Sequence, residues 1–167
     1  MTISPTPLVP AQAGPPRALL ESTTFLLKLL GMAAKERSLG AFENSGHSPQ
    51  HYAVLSLLDE GARETQATIA DALGYDRSHL VGLLDELEAK RLVERRRDPG
   101  DRRRHLVSLT PAGKKTLGQL RAISKQVEAE FLLPLDDDER RALHALLLEL
   151  VAHHDPRCGG LARPTGS

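Results

Sequence analysis

Residues 90–113 read KRLVERRRDPGDRRRHLVSLTPAG. Two short β-prone runs flank the turn-forming residues 98–101, and this pattern predicts a β-hairpin. Thr110 and Pro111 then predict the start of a long helix, because threonine is a common N-cap and proline is favoured at the first helical position. This stretch decides the fold, since it places a small hairpin, here called the wing (residues 91–109), directly in front of a helix.

Two short helices are predicted just before the wing. Thr65 can cap the first, which Gly74 ends, and Asp76 can cap the second. Two helices joined by a glycine-containing turn predict a helix-turn-helix. Leucine-rich helical patterns at 17–37, 48–61, 110–131 and 136–153 surround it. The expected fold is mostly α with a small β-hairpin wing, a winged helix-turn-helix between N- and C-terminal helices.

The charge of the chain is distributed very unevenly. Lys and Arg total 22 and Asp and Glu total 22, so the net charge is zero. Residues 90–105 nevertheless hold eight basic and three acidic residues, a net charge of +5, which leaves −5 for the remainder. Arginine suits phosphate because its planar fork donates two hydrogen bonds and stays charged. The wing is therefore predicted to bind DNA, and a solvated edge strand kept soluble by its charge is the alternative.

The second helix of the helix-turn-helix is the predicted base-reading element. A helix fits the major groove of B-DNA, and such helices contact base edges from their N-terminal end. Arg77, Ser78 and His79 lie at that end, although His79 can equally be a surface histidine of no consequence. Thr65 and Gln66 are predicted DNA contacts at the entry of the helix-turn-helix. The wing is expected to contribute Arg97, Arg102, Arg103 and Arg104.

The run DRRRHLVSLTPAG at residues 101–113 resembles the wing signature DxRxxxxxLTxxG of the MarR (multiple antibiotic resistance regulator) family. Residues 65–74 and 76–88 also resemble the family's helix-turn-helix. The resemblance implies a homodimeric transcriptional regulator, usually a repressor, that binds a pseudo-palindromic operator in double-stranded DNA. It also implies that Arg103 reaches DNA, that Asp101 holds the wing tip and that a small aromatic or anionic effector binds.

The combined pattern predicts five segments. They are a flexible tail (1–16), an N-terminal dimerisation helix with a linker (17–45), the winged helix-turn-helix domain (46–110), C-terminal dimerisation helices (111–155) and a second flexible tail (156–167). Three residues depart from the family pattern. Gly82 lies in the second helix of the helix-turn-helix, where many members have a larger, often polar or basic residue, so no base contact is expected from that position. Arg91 stands where glycine is common, and Thr68 stands where a glutamate often completes a capping box with Thr65, so we expect one reciprocal cap bond to be missing.

Several residues are candidates for control of the regulator. His47, His51 and Tyr52 lie near the start of the second predicted helix and can line an effector pocket, although a packing or surface role suits each of them better. His153, His154 and Cys158 are metal-ligand types, but neighbours on one turn do not define a site, so no metal or other cofactor is expected. Cys158 is the only cysteine, which excludes an intrachain disulfide and favours a reducing cytoplasm.

Other classes of protein fit the sequence less well. The most apolar stretch, residues 25–34, has ten residues and contains a lysine, whereas a membrane span needs about 20. The motifs contain no phosphate-cradling glycine loop and no acid–base set, so an enzyme is not expected. The expected function is a sequence-specific DNA-binding regulator. The alternatives are a nonspecific architectural nucleic-acid-binding protein and a winged-helix protein-interaction module.

Overall fold

The computed structural model describes residues 14–61 and 64–161, so parts of both predicted tails, residues 1–13 and 162–167, lie outside the described residues. Helices dominate the described part, and one small sheet lies in its middle. The elements are α1 (Arg17–Leu20), α2 (Thr23–Glu43), α3 (Pro49–Gly61), β1 (Glu64–Thr65), α4 (Gln66–Leu73), α5 (Arg77–Ala89), β2 (Val93–Arg97), β3 (His105–Leu109), α6 (Pro111–Phe131), α7 (Asp137–His154) and a 3-10 helix (Pro156–Leu161).

The described residues divide into two compact units, one that ends at Glu36 and one that begins at Arg37. The helix predicted over 17–37 is interrupted at Ser22, whose Oγ accepts a hydrogen bond from the Phe25 N–H at 3.4 Å. Ser22 thereby starts a new helix, as serine side chains often do. The large apolar side chains exposed in the first unit are Leu19, Leu20, Leu26, Leu27, Leu30 and Met32.

The second unit contains the aliphatic core. Leu55 of α3, Ile69 of α4, Leu84 of α5 and Val107 of β3 are completely buried against one another's elements. Aliphatic residues at every third or fourth position give these helices one apolar face, which packs in the same cluster as the sheet and α6. Each such burial stabilises the fold by about 2 kcal/mol, so the helix-turn-helix and the wing share one core.

The predicted hairpin is confirmed, and it belongs to a three-stranded antiparallel sheet of order β1-β3-β2. Val93 pairs with Leu109 and Arg97 with His105 across the hairpin, while β1 adds Glu64 and Thr65 at the other edge. The third strand was not predicted, because two residues are too short to show an alternating pattern. The sheet joins the entry of the helix-turn-helix to the wing.

The chain leaves α5 through a left-handed residue. Arg91 has φ 59°, the only positive φ of a non-glycine residue in the described ranges. An L side chain in this conformation costs about 1 kcal/mol relative to glycine. The turn is held because the Leu92 N–H donates to the Leu87 carbonyl at 2.9 Å. The family's usual glycine at this position is thus explained by backbone geometry.

Thr110 and Gly113 join the end of α5, the wing and the start of α6. The Thr110 N–H donates to the Leu92 carbonyl at 3.1 Å, and the Thr110 hydroxyl donates to the Arg91 carbonyl at 2.7 Å and accepts from the Gly113 N–H at 2.9 Å. A Cβ on Gly113 would lie 2.0 Å from the Leu92 oxygen. Two contacts at this junction, defined as residues 91–92 with 110–113, explain the Leu-Thr-x-x-Gly signature. They are the cap by the Thr110 hydroxyl and the close approach of Gly113 to the Leu92 carbonyl.

His51 is a buried polar residue at the start of α3. Its ring Nδ1 accepts from the Ser48 backbone N–H at 3.2 Å, and the backbone N–H of His51 donates to Ser48 Oγ at 3.1 Å. Its Nε2 lies 3.0 Å from Glu86 Oε2 on α5. Because Nδ1 acts as an acceptor, the neutral ring carries its proton on Nε2. His51 thereby links the N-cap of α3 to the second helix of the helix-turn-helix.

The end of the chain differs from the expected flexible tail. Residues 156–161 form a 3-10 helix, and only residues 162–167 of the predicted tail lie outside the structure described above. The Asp155 carboxylate accepts from the Arg157 N–H at 3.0 Å and from its Nε at 2.9 Å. These bonds order a turn that glycine and proline content alone does not reveal.

We expect Gly113→Ala to destabilise the protein by about 2–3 kcal/mol, because the new methyl group would force the Leu92 carbonyl away from α6. Gly118→Ala is the matched control on the same helix, since no atom lies within 4 Å of its Cβ position. That variant is expected to be neutral or stabilising, by up to about 1 kcal/mol. Urea unfolding of both variants measures the difference, and equal effects would contradict the close contact at Gly113.

Protonation of His51 should make the stability of the protein depend on pH. Burial lowers the pKa of His51 below its ordinary value, against the opposing effect of Glu86, and Lys90 and His47 lower it further. The unfolded chain therefore binds a proton more readily than the folded protein, so the stabilisation is complete above about pH 6.5 and is lost as the pH falls through the folded pKa. The stability advantage of the wild type over His51→Gln should shrink from pH 7.5 to pH 5; a constant advantage would contradict the shift.

Candidate nucleic-acid interface

The N-terminal turn of α5 is held by a single carboxylate. Asp76 accepts from the Ser78 N–H at 2.8 Å and from the His79 N–H at 3.3 Å, and the Ser78 hydroxyl also donates to it. The hydrogen bond from the Ser78 hydroxyl, followed by those from the two backbone amides, lowers the pKa of Asp76. The turn is thus rigid while the side chains of Arg77, Ser78 and His79 stay exposed. Ser78 is partly engaged in the cap, which leaves Arg77 the least constrained of the three.

The entry of the helix-turn-helix has a complete capping box, contrary to expectation. Thr65 Oγ1 accepts from the Thr68 N–H at 3.1 Å, and the Thr65 N–H donates back to Thr68 Oγ1 at 3.0 Å. Thr68 Oγ1 also donates to Glu64 Oε2 at 2.7 Å. The prediction of a missing bond was wrong because the threonine hydroxyl replaces the usual glutamate, while Glu64 orients that hydroxyl from outside the box. The start of α4 is therefore fixed beside the sheet.

The structure brings residues from three separate predicted segments to one groove of about 440 Å³. The start of α4 forms one side, α5 forms the second, and the tip of the wing with the start of β3 forms the third. Its polar lining includes two predicted contacts from the entry, one from α5 and two from the wing: Thr65, Gln66, Arg77, Arg103 and Arg104, with His105 beside them. The groove is here called the helix–wing groove.

The wing tip is held by its aspartates. The Asp98 N–H donates to the Arg104 carbonyl at 3.0 Å, and Asp101 Oδ1 accepts from the Arg103 N–H at 3.0 Å. Asp101 also lies 3.4 Å from Arg104 Nε through its second oxygen. Asp101 thus has the geometry of a wing support, which is the role that the family resemblance assigns to it.

The arginines of the wing differ in their freedom to bind a phosphate. Arg97, Arg102 and Arg103 are exposed and have no ion pair within residues 14–61 and 64–161. Arg104 pairs with Asp101, so it must share its charge. Arg95 is the opposite extreme, since it pairs with Asp85 and Glu88 of α5 and its side chain is 18% exposed. Charge counting missed this difference, because it assigned all eight cations to one patch.

The predicted effector residues lie at the junction of α3 with α5. The Nδ1 of buried His51 accepts from the Ser48 N–H, whereas its Nε2 lies 3.0 Å from Glu86 Oε2 without the geometry of a hydrogen bond. His47 is only half-buried, and its Nδ1 is 2.8 Å from the Ser45 carbonyl. Tyr52 is half-buried beside Phe42, with ring centroids 5.7 Å apart. An effector role for these residues stays a prediction.

The residues described hold neither a metal-binding cluster nor a membrane-spanning helix. Within the described ranges, no group of three or more His, Cys, Asp and Glu side chains is close enough to hold a metal ion. His153 and His154 end α7 with ring centroids 4.8 Å apart, and Cys158 is half-buried in the 3-10 helix. None of the helices described is long and apolar enough to cross a membrane.

Curated regulators match much of the chain. It is 32% identical over 105 residues to a putative transcriptional regulatory protein for the hcr operon of Thauera aromatica, and this match spans 63% of each chain. It is 28% identical over 122 residues to the HTH-type transcriptional repressor NicR of Pseudomonas putida, covering 71% of this chain and 77% of that one. These relatives are named as transcriptional regulators, which agrees with the expectation that the protein is not an enzyme.

Solved structures and a family model agree with these relatives. The transcriptional repressor CouR bound to a 23-mer DNA duplex is 32% identical, with a TM-score of 0.74 over 81% of this chain and 96% of that one. CouR from Rhodococcus jostii RHA1 bound to p-coumaroyl-CoA is 26% identical, with a TM-score of 0.68 over 81% and 95%. The MarR family model matches residues 45–104. The chain therefore belongs to the MarR family of winged helix-turn-helix, DNA-binding transcriptional regulators.

Proposed function

We propose that this regulator is a homodimeric, sequence-specific repressor that a small effector releases from DNA. The observation that carries the proposal is the helix–wing groove, where Arg77 from α5 meets Arg103 and Arg104 from the wing. A site that reads sequence needs both backbone contacts, which position the protein, and base contacts, which discriminate. An exposed helix start beside an exposed basic hairpin supplies both. The proposal places the protein in the cytoplasm, together with the DNA that it binds.

The two elements divide the work of binding. Arg77 and His79 at the start of α5 suit the major groove, because arginine binds guanine through two hydrogen bonds. Arg97, Arg102 and Arg103 on the narrow wing suit phosphates or the adjacent minor groove, where negative potential is concentrated. Thr65 and Gln66, at the entry of the helix-turn-helix, contact the sugar-phosphate backbone of the DNA. We expect binding to be oriented, because the net positive charge is concentrated in residues 90–105.

Two sets of exposed leucines support a dimer. The first unit exposes the leucines of α1 and α2, including Leu26 and Leu30. In the second unit, α7 exposes Leu146, Leu150 and Val151 along one side. Contiguous apolar faces of this kind mark interaction surfaces or cause aggregation. A second copy of the chain that covers both faces explains them, and it places two helix–wing grooves on a pseudo-palindrome.

An effector acts by preferring one state of the dimer. CouR of Rhodococcus jostii binds p-coumaroyl-CoA, which has an aromatic and an anionic part. A ligand of that kind weakens DNA binding only if it binds more tightly to dimers that cannot engage both half-sites. We assign its contacts to His47 and Tyr52, with His51 behind them as the link to Glu86 of α5.

The first prediction is specific and salt-dependent DNA binding. The wild type should bind a duplex from upstream of its own gene more tightly than a scrambled duplex at physiological salt. Arg103→Ala should lower the slope of log affinity against log salt by about 1, since one phosphate contact is lost. Arg121→Ala is the control, because Arg121 pairs with Asp59 at 2.8 Å on α3 and is outside the groove. Equal binding of both duplexes would favour the nonspecific architectural protein. A DNA affinity that Arg103→Ala leaves unchanged would favour the protein-interaction module.

The second prediction tests the dimer. Sedimentation at micromolar concentration should give twice the chain mass, and Leu146→Glu with Leu150→Glu should give monomers, because two buried charges cannot be accommodated at an apolar interface. Ala145→Glu, on the side of α7 that carries Glu149, is the control and should leave the dimer intact. A stable wild-type monomer would exclude this part of the proposal.

A further inference from the structure

Arg95 is the arginine of the wing that points back into the protein. Its Nε donates to Glu88 Oε2 at 2.9 Å, and its Nη2 lies 2.8 Å from the same carboxylate and also donates to Asp85. Both acids belong to α5 and lie three residues apart, so they share one face of that helix. The side chain of Arg95 is 18% exposed, whereas that of Arg96 next to it is 73% exposed. One guanidinium thus joins the wing to the recognition helix at two points.

The backbone of Arg95 is as firmly placed as its head group. Arg95 pairs with Val107 in the β2–β3 ladder, and Val107 is completely buried. Val93 lies two residues before Arg95, so both side chains are on the same face of the strand, and Val93 is buried. The backbone of Arg95 is therefore fixed by the sheet and its guanidinium by two carboxylates, which a rigid planar fork holds in a more defined geometry than a flexible ammonium group does.

The contact between Arg95 and Glu88 lies next to the helix–wing groove. Arg95 and Glu88 line a second groove, of about 460 Å³, together with Gln66, Val81 and His105. Three of these residues, Gln66, Val81 and His105, also line the helix–wing groove. The contact thus lies at the base of the proposed DNA-binding face and spans the gap between its two reading elements.

The charge at this contact does not favour phosphate binding. Two carboxylates surround one guanidinium, so the group has a net charge of −1. Such a group repels a phosphate backbone slightly, and Arg95 has little donor capacity left for it. Its position on a DNA-binding face is better explained by control of geometry than by attraction.

We propose that Arg95 is a positioning residue for operator recognition: through Asp85 and Glu88 it fixes the angle between α5 and the wing, so that bases and phosphates are contacted together. The proposal rests on the proposed function. A regulator whose wing moved freely could still bind any DNA through either element, but it would lose the simultaneous fit on which discrimination depends. The measured quantity is therefore the ratio of affinity for operator DNA to affinity for scrambled DNA.

The experiment is a double-mutant cycle on the full chain, with the upstream duplex and its scrambled version as probes. Its three variants are Arg95→Met, the carboxylate variant Asp85→Asn/Glu88→Gln, and their combination. We expect Arg95→Met to lower the affinity ratio roughly tenfold, the equivalent of one lost base contact. We expect the carboxylate variant to lower the ratio similarly, although it removes negative charge near DNA. The combination should lower the ratio no further than either alone.

Three results would overturn the proposal. An unchanged ratio in Arg95→Met would mean that the residue contributes only charge or stability, since a loss of folded protein lowers both affinities equally. If Arg95→Met lowers the ratio as much in the carboxylate variant as in the wild type, then Arg95 acts independently of Asp85 and Glu88, through a direct base contact. A carboxylate variant with an unchanged or higher ratio would mean that freeing Arg95 helps binding; this arm also decides the outcome if Arg95→Met does not fold.

The control is Arg96→Met, an exposed neighbour that pairs with Glu94 of its own strand at 3.1 Å. It should weaken binding to both duplexes alike and leave the ratio unchanged. Failure of the proposed function is distinguishable, because the wild type itself would then show no preference for the upstream duplex. A wild type that prefers its operator, with an Arg95→Met variant that prefers it equally, would reject only the positioning role.

Discussion

The junction of residues 91–92 with 110–113 is the constraint on which the rest of the structure depends. There the end of α5, both strands of the wing and the first turn of α6 meet around the Leu92 carbonyl, which accepts from the Thr110 N–H. The approach is close enough that Gly113 has no room for a Cβ. A left-handed Arg91 is the cost of this path, about 1 kcal/mol. Helix α5 consequently ends, and the wing begins, at the same fixed point.

Polar contacts then determine the direction of α5 from that point. On one side, Glu86 lies beside buried His51, and the Lys90 ammonium donates to the Gly46 carbonyl at 2.5 Å. On the other side, Arg95 joins the helix to the wing. A helix held from both sides has little freedom to rotate. Its exposed N-terminal end is therefore already oriented before an operator binds. Preorganisation of this kind reduces the entropy lost on binding.

Local chemistry made much of this fold predictable from the sequence. The caps at Thr65, Asp76 and Thr110 and the hairpin around residues 98–101 depend on neighbouring residues only, and the structure agrees with each of them. The break at Ser22 and the two-residue β1 were missed, because a helical leucine pattern hides the first and the second has no pattern. The role of Arg95 could not be found by counting charge, since it depends on a strand and a helix that pack together only in three dimensions.

The measurement that tests the central claim most directly is backbone hydrogen–deuterium exchange of the protein with and without its operator duplex. Binding through α5 and the wing predicts slower exchange at residues 76–81 and 97–105, and the same segments should be much less protected by scrambled DNA at equal concentration. Protection confined to α6 and α7, or absent from both predicted segments at saturating operator, would contradict recognition by the helix–wing groove.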